Sequence, residues 1–231
     1  MRLKFTHIFF DLDHTLWDYD TNARKVLANL YQEFELREHI RHNSDRFLEI
    51  YFKTNDGLWH DYNQGRINKE TIRDERFNMV LKNCGSIDFS RSMEMSDYFL
   101  HHCPRQKVVM PDALMTLDYL HKKYKMSIIT NGFDDVQEVK LRSCGLDGFF
   151  DHIFTSETIG AKKPAPEIFY HALECVNVDK SEALMIGDNP KTDILGAQNA
   201  GITPLLYNPT GRIKSECELQ IKHLSELMAL L

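Results

Sequence analysis

Apolar residues follow two rhythms along this 231-residue chain. Short runs rich in β-branched and aromatic side chains, at 5–10, 126–130, 152–155, 183–186 and 203–207, predict β-strands. Between and after them the apolar positions recur at helical spacing. Pro111 announces one helix, with Leu114, Leu117 and His121 on one face, and further helices are predicted over 135–144, 165–175 and 192–200, the last closed by Gly201. Strands that alternate with helices in this way imply an α/β fold, a doubly wound parallel sheet with helices on both faces.

The stretch 17–109 has a different texture, helical throughout with no convincing strand. Phe47, Ile50, Tyr51, Thr54 and Leu58 mark one helix face. Asn68 is placed to cap a second helix, with Ile72, Arg76, Met79 and Val80 on its inner side and Gly85 at its end. The expected organisation is therefore an α/β core of residues 1–16 and 110–231, with residues 17–109 as an inserted α-helical cap domain. An insertion just after the first strand belongs to the carboxyl end of the sheet, where open α/β folds bind ligands.

Composition narrows the function by exclusion. A formal net charge of −6 gives no electrostatic footprint for a nucleic acid polymer. The five cysteines are scattered, odd in number and without a CxxC pair, which argues against a disulfide scaffold or structural zinc and makes a reducing cytoplasm the simplest compartment. Arg2 and Lys4 precede an apolar run, but Asp11 and Asp13 break it at once, so it is not expected to act as a signal peptide, and no run has membrane-spanning length. Oligomeric state leaves no mark in the sequence.

Chemistry gathers where four segments end. The first strand gives way to Asp11 and Asp13, which period-two geometry turns to the same side. Mutual repulsion makes that pair costly unless a hard cation such as Mg²⁺ or a chemical role compensates, although an isolated DxD is as readily two solvated acids in a turn. The second strand ends in Thr130, Asn131 and Gly132, which read equally as an oxyanion cradle or as a plain turn. Lys163 stands directly before Pro164 at the start of a helix, and Gly187 and Asp188 end a buried strand with Asp193 five residues further on. Taken together these places supply carboxylates, a hydroxyl and one lysine at the carboxyl ends of parallel strands, in an order that separate coincidences do not account for.

In this combination the chain resembles the haloacid dehalogenase-like (HAD) hydrolase superfamily. The matching residues are Asp11-Leu12-Asp13-His14-Thr15, Thr130, Lys163-Pro164, and Asp188 with Asp193. The resemblance covers nearly all of the α/β part and implies a Rossmann-like core, while the helical block is similar to the family's small α-helical cap. It implies a Mg²⁺-dependent phosphate monoester hydrolase with Asp11 as nucleophile and Asp13 as acid and base. The metal would be held by Asp11, Asp13 through its backbone carbonyl, and Asp188. Thr130, Asn131, Gly132 and Lys163 would bind phosphate, and Asp193 would orient Lys163 or a metal-bound water.

Many relatives have glycine where this chain has His14, and the DLDHTLWD version is most similar to bacterial pyrimidine 5′-nucleotidases. The expected partner is thus a small phosphorylated metabolite, a nucleoside monophosphate, with His14, Trp17, Trp59 and Arg76 as candidate substrate contacts. The alternatives are a phosphatase or phosphomutase of sugar phosphates or phosphoglycolate, then a dehalogenase, then a binding module without turnover.

Overall fold

The computed structural model describes residues 5–231, so Arg2 and Lys4 lie outside the described residues. The chain divides into two compact units, Met1–Tyr19 with Lys107–Leu231, and Asp20–Gln106.

The first unit is built on a six-stranded sheet in the order β3-β2-β1-β4-β5-β6, with every pairing parallel. Its strands are β1 (His7–Phe10), β2 (Lys125–Thr130), β3 (His152–Thr155), β4 (Ala183–Gly187), β5 (Thr203–Tyr207) and β6 (Gln220–Ile221). β1 begins at His7 rather than at Phe5, and the two-residue β6 is too short to leave a periodic signal. All four residues of β1 and all five of β4 are buried, as a sheet covered on both faces requires. β1 lies between β2 and β4 with Phe10 level with Ile128 and Ile186. Asp11 N–H extends this ladder by one bond, donating to Ile186 O at 2.8 Å, so the first acid is held by the sheet itself. The strand order reverses between β1 and β4, which makes their carboxyl ends the crevice of a doubly wound sheet.

Helices α1 (Tyr19–Glu33), α2 (Leu36–His39), α3 (Ser44–Asn63), α4 (Lys69–Asn83) and α5 (Ser92–His102) lie within 19–102. α6 (Ala113–His121), α7 (Asp134–Cys144), α8 (Ser156–Ile159), α9 (Pro166–Val176), α10 (Leu195–Ala200) and α11 (Leu227–Leu230) belong to the α/β unit. α6 corrects the predicted face. It starts two residues after Pro111 and buries Ala113, Thr116, Leu117 and Leu120, while Leu114 and His121 are exposed. The predicted helix over 192–200 is a π-helical turn, Pro190–Ile194, running into α10.

In the helical unit, Asn43 and Asn68 cap α3 and α4 by accepting Arg46 N–H at 3.0 Å and Thr71 N–H at 2.9 Å. The Tyr51, Phe77 and Phe99 rings meet at centroid distances of 5.3 to 6.0 Å and fill the space between α3, α4 and α5. Met79, expected inward, is exposed, and its predicted place in the core goes to Phe77 and Leu81.

His7 carries a prediction of its own. Its ring is buried between strands, with Nε2 3.0 Å from Ser127 Oγ, and burial lowers its pKa from 6.5 to about 4, with Asp151 opposing the shift. The folded state therefore resists a proton that the unfolded chain accepts. This contribution to stability is complete above pH 6.5 and is lost as the pH falls towards 4, by about 3 kcal/mol in all. Urea midpoints at pH 7 and pH 4.5 should draw apart less in His7→Gln than in the parent protein. An unchanged pH dependence would contradict the account.

Candidate active site

Lys163 is the electrostatic centre of the strand-end crevice. Its side chain is 2% exposed, and Nζ donates to Asp11 Oδ1, to Ile129 O and to Asp193 Oδ1, each at 2.7 Å. Burial by itself would lower its pKa. The carboxylates of Asp11 and Asp193 outweigh burial and hold the ammonium above its ordinary range. Asn131 fixes the main chain of Lys163 from both directions, accepting Lys163 N–H on Oδ1 at 2.8 Å and donating Nδ2–H to Lys163 O at 2.9 Å. The Asn131 amide is thus committed to placing the lysine.

Asp11, Asp188 and Asp193 bring carboxylate oxygens within 4.8 Å of one another. Burial raises Asp11 to about 6 against the pull of Lys163, with Asp193 adding to the rise. Asp188 is raised well above the ordinary carboxylate range by burial first and then by Asp11 and Asp193. Thr15 Oγ1 lies between two of them, 3.3 Å from Asp11 Oδ2 and 3.4 Å from Asp188 Oδ1. Asp193 is further fixed by Asn189 N–H at 3.0 Å and Thr192 Oγ1 at 3.2 Å. Three carboxylates thus meet in a largely buried place where the Lys163 ammonium pairs with two of them. A hard divalent cation with oxygen ligands matches both the donor set and the missing charge.

Gly187 is required by this packing, since a β-carbon there would run into the Asp193 side chain down to its own β-carbon, and one at Gly132 would meet the end of the Gln137 side chain. Gly132 N–H donates to Thr130 Oγ1 at 3.0 Å, so the turn after β2 closes around the buried hydroxyl.

Asp13 stands apart from the carboxylate cluster. Its two oxygens each accept from Lys140 Nζ at 2.7 Å. Lys140 does not stand out in the sequence, because a lysine on a helix with Glu138 and Arg142 nearby looks like a surface residue, and its partner is 127 positions away. Its signal is faint: Lys140 lies in register with Gln137, Leu141 and Cys144 on the buried face of α7.

His14 has φ 65°, a left-handed conformation that favours glycine at this turn, and its exposed ring lies 5.3 Å from that of Tyr19. Trp17 is fully buried, its ring facing the Lys140 ammonium at 4.8 Å. Trp59 and Arg76 belong to the helical unit. Trp59 is half-buried and edge-on to Tyr62, with centroids 5.4 Å apart. Arg76 is 4% exposed, with its guanidinium 4.8 Å from the Phe99 ring and Nη1 3.4 Å from Asn55 Oδ1, while Nε and Nη2 have no hydrogen-bond partner among the described residues.

The sequence model of the haloacid dehalogenase-like hydrolases matches residues 5–201. Pyrimidine 5′-nucleotidase YjjG of Escherichia coli (strain K12) is 32% identical over 217 residues, which span 93% of this chain and 91% of that protein. N-acylneuraminate-9-phosphatase of Mus musculus is 27% identical over 210 residues, or 89% of this chain and 84% of that one. The Bacillus subtilis protein YfnB, crystallised in an orthorhombic form with magnesium bound, matches with a TM-score of 0.88 at 27% identity over 99% of both chains. Among the described residues no helix is long and apolar enough to cross a membrane.

Proposed function

The chain belongs to the haloacid dehalogenase-like hydrolase family and is a phosphoric monoester hydrolase, and from that premise we propose that it hydrolyses 5′-monophosphates of pyrimidine nucleosides through an aspartyl phosphate on Asp11, with Mg²⁺ as its metal. The observation that carries the chemistry is the imbalance of three clustered carboxylates against Lys163. An anionic phosphate cannot approach such a place unless further positive charge is supplied.

Each residue then has a distinct task. Asp11 attacks phosphorus in line and carries the phosphoryl group. Asp13 gives its proton to the departing sugar oxygen and, as a carboxylate, takes one from the water that cleaves the acyl phosphate. Lys163, Thr130 and the backbone N–H of Asn131 hold nonbridging oxygens as charge builds on them, while Gly132 gives its N–H to Thr130 Oγ1 and so keeps that hydroxyl in place. Asp193 keeps Lys163 aimed, at 2.7 Å. Mg²⁺ would be held by the carboxylates of Asp11 and Asp188 and the backbone carbonyl of Asp13, supplying charge that screens the nucleophile from the phosphate.

The helical unit, as a cap, would choose the leaving group. The resemblance to pyrimidine nucleotidases around His14 and the 32% identity to the E. coli nucleotidase favour a nucleoside. His14, Trp59 and Arg76 are proposed substrate contacts, whereas the full burial of Trp17 suits a supporting role for that ring.

A phosphate-release screen with Mg²⁺ should show higher kcat/KM for UMP, CMP and dTMP than for N-acylneuraminate 9-phosphate, hexose phosphates or phosphoglycolate. Higher values throughout for the sugar phosphates would move the assignment to that class, which the 27% identity to the mouse phosphatase makes the second reading. Transfer of phosphate onto a sugar phosphate without net release would mean a mutase. Turnover of a haloacid in the presence of EDTA would mean a dehalogenase.

A further inference from the structure

α7 is exposed along one side, but its other side carries two polar groups into the α/β unit, Gln137 at 1% exposure and Lys140 at 6%. Burying an ammonium is costly unless it is paired. The Lys140 ammonium is paired with both oxygens of Asp13 at 2.7 Å, while the Trp17 ring faces it at 4.8 Å. The Asp13 side chain remains one-quarter exposed, so the carboxylate is held from behind and open in front. The loop that carries it is tight: His14 N–H donates to Trp17 O and Trp17 N–H to Leu12 O, both at 2.9 Å. Backbone and lysine together leave the Asp13 carboxylate little rotational freedom.

We infer that Lys140 is a positioning residue for hydrolysis. It fixes the direction of the Asp13 carboxyl group so that one oxygen meets the leaving group and later the water, and Trp17 fixes Lys140 in turn. The inference rests on the assignment of Asp13 as proton donor and acceptor. It does not place Lys140 on the substrate. Two-point contact with both oxygens is what separates an orienting group from a distant counter-ion, since a single contact would leave the carboxylate free to turn.

The test is a double-mutant cycle read by rapid-quench formation of the phosphoenzyme, with UMP, whose leaving oxygen needs a proton, and p-nitrophenyl phosphate, whose leaving group does not. Lys140→Gln should slow the first step with UMP by on the order of 10²-fold and slow it far less with p-nitrophenyl phosphate, with KM held within about twofold. Lys140→Arg, which keeps a cation able to grip two oxygens, should recover much of the loss. In an Asp13→Asn background Lys140→Gln should cost nothing further, because its action passes through the carboxylate already removed. A full additional loss in that background would overturn the inference, as would a raised KM with unchanged first-step rate. Failure of the Asp13 assignment reads differently: Asp13→Asn alone would then slow both substrates equally. Should Lys140→Gln not fold, as thermal melting would reveal, the cycle is run with Lys140→Arg, whose altered reach should give a smaller loss that again vanishes with Asp13→Asn; a loss that persists there overturns the inference.

Discussion

Asp11→Asn is expected to lower kcat on every phosphate monoester by on the order of 10⁴-fold or more while the protein remains folded. The amide keeps the volume of the carboxylate and an oxygen for Lys163 Nζ, which also retains Ile129 O and Asp193 Oδ1, each at 2.7 Å. It removes a buried negative charge whose pKa is already driven up to about 6, so repulsion with Asp193 falls and the melting temperature should not drop appreciably. An amide cannot form the acyl phosphate, and the loss should therefore be common to good and poor leaving groups alike. Acid quenching with labelled substrate should trap a protein-bound phosphate in the parent and none in the variant. Retention of a tenth of the parent kcat would exclude Asp11 as nucleophile. That pattern differs from the one expected of Asp13→Asn, where the leaving group decides the size of the effect.

Much of the α/β unit could be read from the chain because its signals are local. β3 and β5 coincide with the predicted strands, β4 extends one residue beyond its prediction, and each is a short run with a turn or helix behind it. Asp11 and Asp188, directly after buried strands, and Thr130, the last residue of one, stand out for the same reason, since a polar residue at such a place has few structural explanations. The inward side of α3 was equally legible: Phe47, Ile50, Tyr51, Thr54 and Leu58 are all buried, as their spacing requires.

What escaped the sequence depends on contacts between distant residues or on which side of an element is buried. The pairing of Lys140 with Asp13 spans 127 positions and leaves no pattern. On α6 the small residues Ala113 and Thr116 face inward and Leu114 lies outside, a choice that apolar spacing alone does not make. Trp17 is a third case. Nearness in sequence to Asp13 suggested a substrate contact, yet a large apolar ring has most to gain from full burial, and the loop folds it inward beneath Lys140. The side-chain amide of Asn131, a candidate for the anion cradle, is bonded to the main chain of Lys163 at both ends, a contact between residues 32 positions apart.

Asp188→Asn is expected to abolish the stabilisation that Mg²⁺ gives while leaving the metal-free protein at least as stable as the parent. The sign follows from the direction of the shift. Burial beside Asp11 and Asp193 raises the Asp188 pKa in the folded state, so above the ordinary carboxylate pKa folding must bear the cost of ionising a group that the unfolded chain ionises freely. An uncharged amide removes that cost, and Thr15 Oγ1, 3.4 Å from Asp188 Oδ1, still finds an oxygen there. In the parent, a divalent ion reverses the balance, because the same clustered charge that penalises the empty site attracts the cation. At a hundredfold excess over its Kd such an ion stabilises the fold by about 2.7 kcal/mol, which for a protein of this size is a rise of roughly 5–10 °C. Thermal melts at pH 7.5 with EDTA and with millimolar Mg²⁺ measure both halves independently of turnover. The parent should show the rise and Asp188→Asn should not. An equal rise in the two proteins would place the ion away from Asp188, and a metal-free variant melting well below the metal-free parent would mean that Asp188 stabilises the fold on its own account rather than holding a cation.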